Sequence, residues 1–261
     1  MTKILDCTIR DGGHLTEWNF SEECVRATFK AAQLSGLDFF EIGYRNHGSG
    51  MFARCTDTDL RGVIPSKYSL KLVVMVNARE FLPENFSSGD YADVVRVACH
   101  PHEITQGVEI CKILIDKGYE TILHLMDASN ITDEQFNALK NYDKNNLIYF
   151  ADSYGTLLPD DIRGCFELLH SKGFEKTGFH GHNNKQLAFI NTLTAIECGA
   201  YSVDVTAYGM GRGAGNTPAE LLLSHLGRDS APYIQLIETY YLDLYKKTPW
   251  GYLLKNFANI V

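Results

Sequence analysis

Eight short runs rich in β-branched and apolar residues punctuate this chain of 261 residues, and a stretch of helix length separates most neighbours. The runs are "KILDCT" (3–8), "DFFEIGY" (38–44), "LKLVVMVN" (70–77), "DVVRVAC" (93–99), "TILHLMDA" (121–128), "LIYFADS" (147–153), "TGFHGH" (177–182) and "SVDVTAYG" (202–209). Strands joined by crossovers of that length pair in parallel, because an antiparallel neighbour needs only a tight turn. Eight strand–helix units in a chain of this size predict an α/β fold of one domain, a (β/α)8 TIM barrel. The alternative is an open doubly wound sheet, which usually has fewer strands.

Helix signals fall between the runs. "SEECVRATFKAAQLSG" has Ser21 as N-cap, Glu23 in its first turn and Gly36 to close it. "ITDEQFNALKNY" and "LPDDIRGCFELLHSKG" are further candidates. Residues 230–261 read as a helical tail with a short apolar end. No Pro-, Gly- or Ser-rich stretch divides the chain, so 1–261 is expected to be one domain.

The formal net charge is -8, which offers no basic surface for displacing counterions from nucleic acid. The seven cysteines are scattered and never form a CxxC pair, the pattern of reduced thiols in a cytoplasmic protein. The N-terminus lacks the apolar core of a signal peptide, and no run reaches the roughly 18 apolar residues of a membrane helix.

In a parallel barrel the working groups gather at the C-terminal ends of the strands. Arg10, Asp11 and His14 follow the first run, Glu41 is placed at the end of the second, and Asp152 and Ser153 end the sixth. His180 and His182 end the seventh, and Asn216 lies beyond the eighth. On an extended strand, residues two apart share a side, so "HGH" presents two imidazoles in one direction. Two imidazoles with the carboxylate of Asp11 make a usual divalent-metal set, which the amide oxygen of Asn216 can complete. Mn²⁺, Mg²⁺, Co²⁺ and Zn²⁺ all suit such donors, with Mn²⁺ the first expectation. Arg10 suits an oxyanion or enolate, or an ion pair with Glu41; both roles can hold together. His14 is a candidate general base. Substrate contacts are expected from Glu41, His100, Asp152, Ser153 and Arg212, with Arg212 equally readable as a solvated side chain. His47, His124, His170 and His225 are given no role. "GMGRGAGNTPAE" is a flexible loop after the last strand rather than a dinucleotide loop, since no strand follows to offer a ribose ligand.

"TIRDGGH", "HGHNN" and "GMGRGAGNTPAE", in that order and at those strand ends, resemble the DRE-TIM metallolyase superfamily, the HMG-CoA lyase-like enzymes. The resemblance implies that Asp11, His180 and His182 bind a divalent cation, that Asn216 sits at or near it, and that Arg10 steadies an enolate oxygen. Within that group "RDGGH" resembles the 4-hydroxy-2-oxovalerate aldolase branch, where the histidine in that place acts as base. The lyase's strand-8 cysteine is missing from "GMGRGAGN". The aldolase's helical region with its catalytic tyrosine, and the synthases' regulatory domain, are expected to be absent. The resulting expectation is a metal-dependent aldolase or lyase acting next to a 2-oxo acid, with a small 2-oxo acid and an aldehyde as its partners, and a homodimer or higher homo-oligomer. The alternatives are acyl-CoA chemistry of the Claisen or lyase type, and an inactive barrel that binds a metabolite or partner.

Overall fold

Strands form where the β-branched runs lie, since those side chains pack well on a pleated, buried surface. The computed structural model describes residues 1–67, 69–88, 91–128 and 131–253. The strands are β1 (Lys3–Asp6), β2 (Phe39–Tyr44), β3 (Lys71–Asn77), β4 (Val94–Cys99), β5 (Glu120–Leu125), β6 (Leu147–Asp152), β7 (Thr177–Gly181) and β8 (Ser202–Val205). They pair in sequence order, all parallel, and close into a barrel through β1 and β8. The helices are α1 (Thr8–Thr16), α2 (Glu22–Leu34), α3 (Asp57–Val63), α4 (Ile104–Asp116), α5 (Asp133–Ala138), α6 (Pro159–Ser171), α7 (Ala188–Glu197), α8 (Ala219–His225), α9 (Ala231–Leu236) and α10 (Leu242–Lys247).

Several boundaries differ from the expectation. The first run stops being a strand at Asp6, because the buried Asp6 carboxylate accepts from the Thr8 backbone N–H at 2.9 Å and its hydroxyl at 2.8 Å, which turns the chain into α1. The last run ends at Val205; Ala207–Gly209 is a 3-10 turn in which Tyr208 takes φ 55°. Not every crossover is an α-helix. Between β3 and β4 the described residues form only the 3-10 turns Ala78–Glu80 and Pro83–Asn85. The expected Ser21 cap is present, its side chain accepting from the Cys24 N–H. The tail forms α9, a π-helical turn (Ile237–Tyr241) and α10, while its expected apolar end lies outside the described residues. Tyr233 of α9 donates to Asp6 at 2.6 Å, and Tyr241 shares a hydroxyl bond of 2.7 Å with Thr28, so the tail is tied to the first strand and to α2.

Side chains pointing into the barrel change character along its axis. One layer is apolar, with Leu5, Phe39, Val73, Val94, Ile122 and Leu147. Towards the strands' C-terminal ends come Glu41, Arg96, Tyr149 and Asp204, all buried. Tyr149 has room because Gly178 faces it: a Cβ there would lie 2.2 Å from the ring.

The strand register slips between Glu41 and Gly43. Gly43 has φ +154°, and an added Cβ would stand 1.9 Å from the Phe52 carbonyl oxygen. Gly43→Ala is expected to cost about 2–4 kcal/mol of stability through that clash and its backbone conformation. Urea unfolding of the variant beside the parent measures this.

Candidate active site

The helix α1 carries the first group of working residues inward. Its two glycines permit close packing rather than an unusual backbone: a Cβ on Gly12 would meet the Met210 sulfur at 2.6 Å, and one on Gly13 the Trp18 ring at 2.1 Å. Trp18 folds back over the helix end and donates from Nε1 to the Arg10 carbonyl at 3.0 Å. Arg10 and Asp11 are thereby buried at the barrel mouth, and His14 is partly covered.

Four strands supply the charges around them. Arg10 Nε donates to Glu41 at 2.8 Å, and its Nη1 lies 3.4 Å from Asp11. Arg96 sits 3.1 Å from the other Glu41 oxygen and makes two bonds to Asp204, at 2.5 and 3.0 Å. Asp204 in turn accepts from His180 Nδ1 at 2.9 Å. Burial alone would raise the Asp11 and Asp204 carboxyls. Arg10, followed by His180, instead holds Asp11 well below the usual carboxylate range, and Arg96 and His180 do the same for Asp204.

The two imidazoles of "HGH" do converge, with ring centroids 4.8 Å apart. Each engages Nδ1 with an acceptor: His180 with Asp204, and His182 with the Asp152 carbonyl at 2.8 Å. If each Nδ1 is the protonated nitrogen, both Nε2 lone pairs are free, the arrangement that orients metal-binding histidines. His180 Nε2 lies 3.3 Å from Asp11 Oδ2. Asn216 Nδ2 donates to the same Asp11 oxygen at 2.7 Å, and Asn216 Oδ1 is buried without a hydrogen-bond partner among the described residues. Arg10 Nη2 is likewise buried and unsatisfied. Unpaired buried polar atoms are costly, so an acceptor and a donor left open on two residues that both contact Asp11 fit a cation and an anionic ligand. Among the described residues, the ligand-type atoms that lie within 4.8 Å of one another are those of Cys7, Asp11 and His180, with His182 outside that group. Burial, and then Asp204, push the Cys7 thiol up, and it faces the Val205 carbonyl at 3.5 Å, so it serves as a neutral packing group.

A cavity of about 240 Å³ opens over this set, with Arg10, Asp11, His14, His100, Ser153 and Arg212 in its wall. Glu41 and Asp152 are not in that wall, contrary to the expectation of substrate contacts there. Glu41 is mid-strand, since β2 runs on to Tyr44, and its carboxylate lies between the guanidinium groups of Arg10 and Arg96. Asp152 spends its carboxylate on the N–H groups of Thr156 and Leu157, shaping the loop after β6. His124, given no role from sequence, lines the cavity with its ring 5.8 Å from His180; burial, then Arg96, keep it neutral. His47 was also passed over, yet it stands 6.2 Å from His14. Arg96 and Asp204 were missed as well, although a lone charge inside "VVRVAC" and "SVDV" is itself a signal of a buried ion pair. A larger hollow of about 690 Å³ lies under the loops after β2 and β3, lined by residues such as Arg45, Arg54 and Arg79. It gathers no such donor set, and the chemistry belongs to the smaller cavity.

His14 packs against Trp18, with ring centroids 4.8 Å apart, and burial pushes its imidazole down to about 3. The folded state therefore keeps it neutral, while an unfolded chain protonates it near its ordinary 6.5. Its contribution to stability is full above that value and is lost as pH falls towards 3. Metal-free protein is expected to lose stability over this range, and His14→Asn to lose less, measured as urea midpoints at stepped pH. Arg96→Met, which leaves Glu41 to Arg10 and Asp204 to His180 alone, is expected to cost about 3–5 kcal/mol in the same assay.

Among the described residues no helix is long and apolar enough to cross a membrane. The HMGL-like family model matches residues 94–239. The 4-hydroxy-2-oxovalerate aldolase of Carboxydothermus hydrogenoformans is 32% identical over 243 residues, covering 87% of this chain and 70% of that protein. An oxaloacetate decarboxylase of Mycobacterium tuberculosis is 29% identical, over 86% of this chain and 70% of its own length. In structure, the N-terminal domain of a proposed aldolase from Bacteroides vulgatus superposes with a TM-score of 0.87 at 32% identity, covering 97% of this chain and 90% of that one. With the barrel, the buried charges gathered around Asp11 and His180, and these matches together, the chain belongs to the HMGL-like family of metal-dependent lyases.

Proposed function

We propose that the protein is a metal-dependent aldolase that breaks or makes the carbon–carbon bond between a 2-oxo acid such as pyruvate and an aldehyde. The observation that carries this reading is the pair of open buried atoms, Asn216 Oδ1 and Arg10 Nη2, beside Asp11 and the two imidazoles. Asp11, His180, His182 and Asn216 would hold a divalent cation, which would supply Lewis acidity for the 2-oxo group. Mn²⁺ is the ion we expect, and the mixed nitrogen and oxygen donors also accept Mg²⁺, Co²⁺ or Zn²⁺.

This chain's own residues do the rest. Arg10, held in place by Glu41, presents its free Nη2 to the oxygen on which enolate charge develops. His14 takes the proton from the 4-hydroxyl in cleavage and returns it in addition. Its low proton affinity in the free cavity means that it enters the reaction as a neutral base, and negative charge gathering nearby strengthens it. Arg212 and Ser153 line the cavity where the substrate's polar groups lie. The seven free thiols support a reducing compartment, and we place the enzyme in the cytoplasm.

Metal analysis of the purified protein, followed by a panel of 2-oxo acids, aldehydes and oxaloacetate scored for pyruvate, tests the reading. Chelation is expected to abolish turnover and Mn²⁺ to restore it. His14→Ala should lower cleavage by about 10²–10⁴-fold with metal content unchanged. Thiol release from an acyl-CoA, with no action on any 2-oxo acid, would replace the proposal with the Claisen-type alternative.

A further inference from the structure

The cation set occupies one arc of the barrel mouth, on β7, β8 and the segment after β1. Across the closed ring from β8 and β1 stand β4 and β5, and their ends carry a second arrangement built with equal care. His100, directly after β4, lines the cavity with its side chain about one-third exposed. Its Nδ1 lies 3.0 Å from Asp127 Oδ2. Its backbone N–H donates to Glu103 at 2.9 Å, and its ring lies 5.8 Å from that of His102, nearly parallel at 7°. Asp127, just past β5, takes φ 52°, and its N–H donates to Ser153 Oγ at 2.9 Å from the end of β6. A non-glycine residue in that left-handed region stores strain, and such strain gathers at functional sites. With Nδ1 engaged by a carboxylate, Nε2 is the ring nitrogen left for a ligand. Three strand ends thus cooperate to aim one imidazole.

Aldol cleavage moves two protons, one from oxygen and one to carbon, and His14 accounts only for the first. We propose that His100, positioned by Asp127, handles the second, at C3 of the 2-oxo acid. In cleavage the C3–C4 bond breaks and its electron pair passes into the enolate, while an oxygen lone pair at C4 becomes the second bond of the aldehyde carbonyl. The enolate's C3 then takes the proton from protonated His100 Nε2, which leaves neutral imidazole to be reprotonated by solvent. In addition the neutral ring removes that proton to form the enolate. His100 is then a catalytic residue, and Asp127 a positioning one. The inference rests on the enolate reading above, and it applies equally to an enolate formed by loss of CO₂ from oxaloacetate.

The test is exchange of pyruvate's methyl protons in D₂O without aldehyde, followed by NMR on Mn²⁺-loaded protein, beside calorimetric binding of oxalate as an enolate mimic. His100→Asn is expected to slow exchange by about 100-fold while oxalate affinity stays within threefold. Asp127→Asn, the second variant should His100→Asn misfold, is expected to slow it at least tenfold, with Asp127→Glu restoring part of the rate. Exchange within threefold of the parent in both variants overturns the assignment, as does an equal loss of oxalate binding, which would mark a structural role. A parent that catalyses the aldol reaction without exchange overturns the assignment and leaves the aldolase reading standing. A parent that does neither overturns both.

Discussion

Everything at the mouth of this barrel depends on one chain of buried ion pairs running from Arg10 through Glu41, Arg96 and Asp204 to His180. Two guanidinium groups there face three carboxylates, counting Asp11. Removing so many charges from water is expensive, and ion pairs of this kind seldom raise stability over an apolar core of the same shape. What they provide is position. Each group is fixed by a partner on another strand, so the lattice cannot shift one side chain without disturbing several. The pairing leaves Asn216 Oδ1 and Arg10 Nη2 buried without hydrogen-bond partners among the described residues, the two atoms on which the proposed function rests.

The loops around this rigid floor are held by packing instead. Trp18 clasps the end of α1, and the glycines beneath it let that helix lie close enough to put Asp11 among strand residues. On the far side Trp250 donates to the Tyr208 carbonyl at 2.9 Å, and the Gly251 N–H to Gly213 at 3.0 Å. The tail therefore straps down the glycine-rich loop that carries Arg212 and Asn216. A loop with that many glycines would otherwise lose much entropy on ordering. Through Asn216, whose Nδ2 donates to Asp11, that strap reaches the helix after the first strand.

Much of this was legible in the order of residues. Parallel pairing followed from crossover length, and the clustering of Asp11, His180 and His182 followed from the rule that strand ends converge. The failures have a common cause. Glu41 was placed at a strand end although its own run extends to Tyr44, and β2 does continue to Tyr44, which leaves Glu41 in mid-strand. Asp152 looked like a substrate contact because a carboxylate at a strand end usually is one, yet its oxygens are consumed by two backbone N–H groups nearby. His124 was passed over because a single histidine in an apolar run is indistinguishable from a packed one until the ring beside it is known.

Sequence by itself determined the fold class, the parallel order of strands and which residue types meet at the mouth, because hydrophobic period and loop length are local quantities written along the chain. Only the tertiary structure decided which charges pair, which polar atoms stay open and which residues are merely structural. Those outcomes depend on distances between strands far apart in sequence, where a side chain's partner, rather than its own chemistry, sets whether it is spent or free.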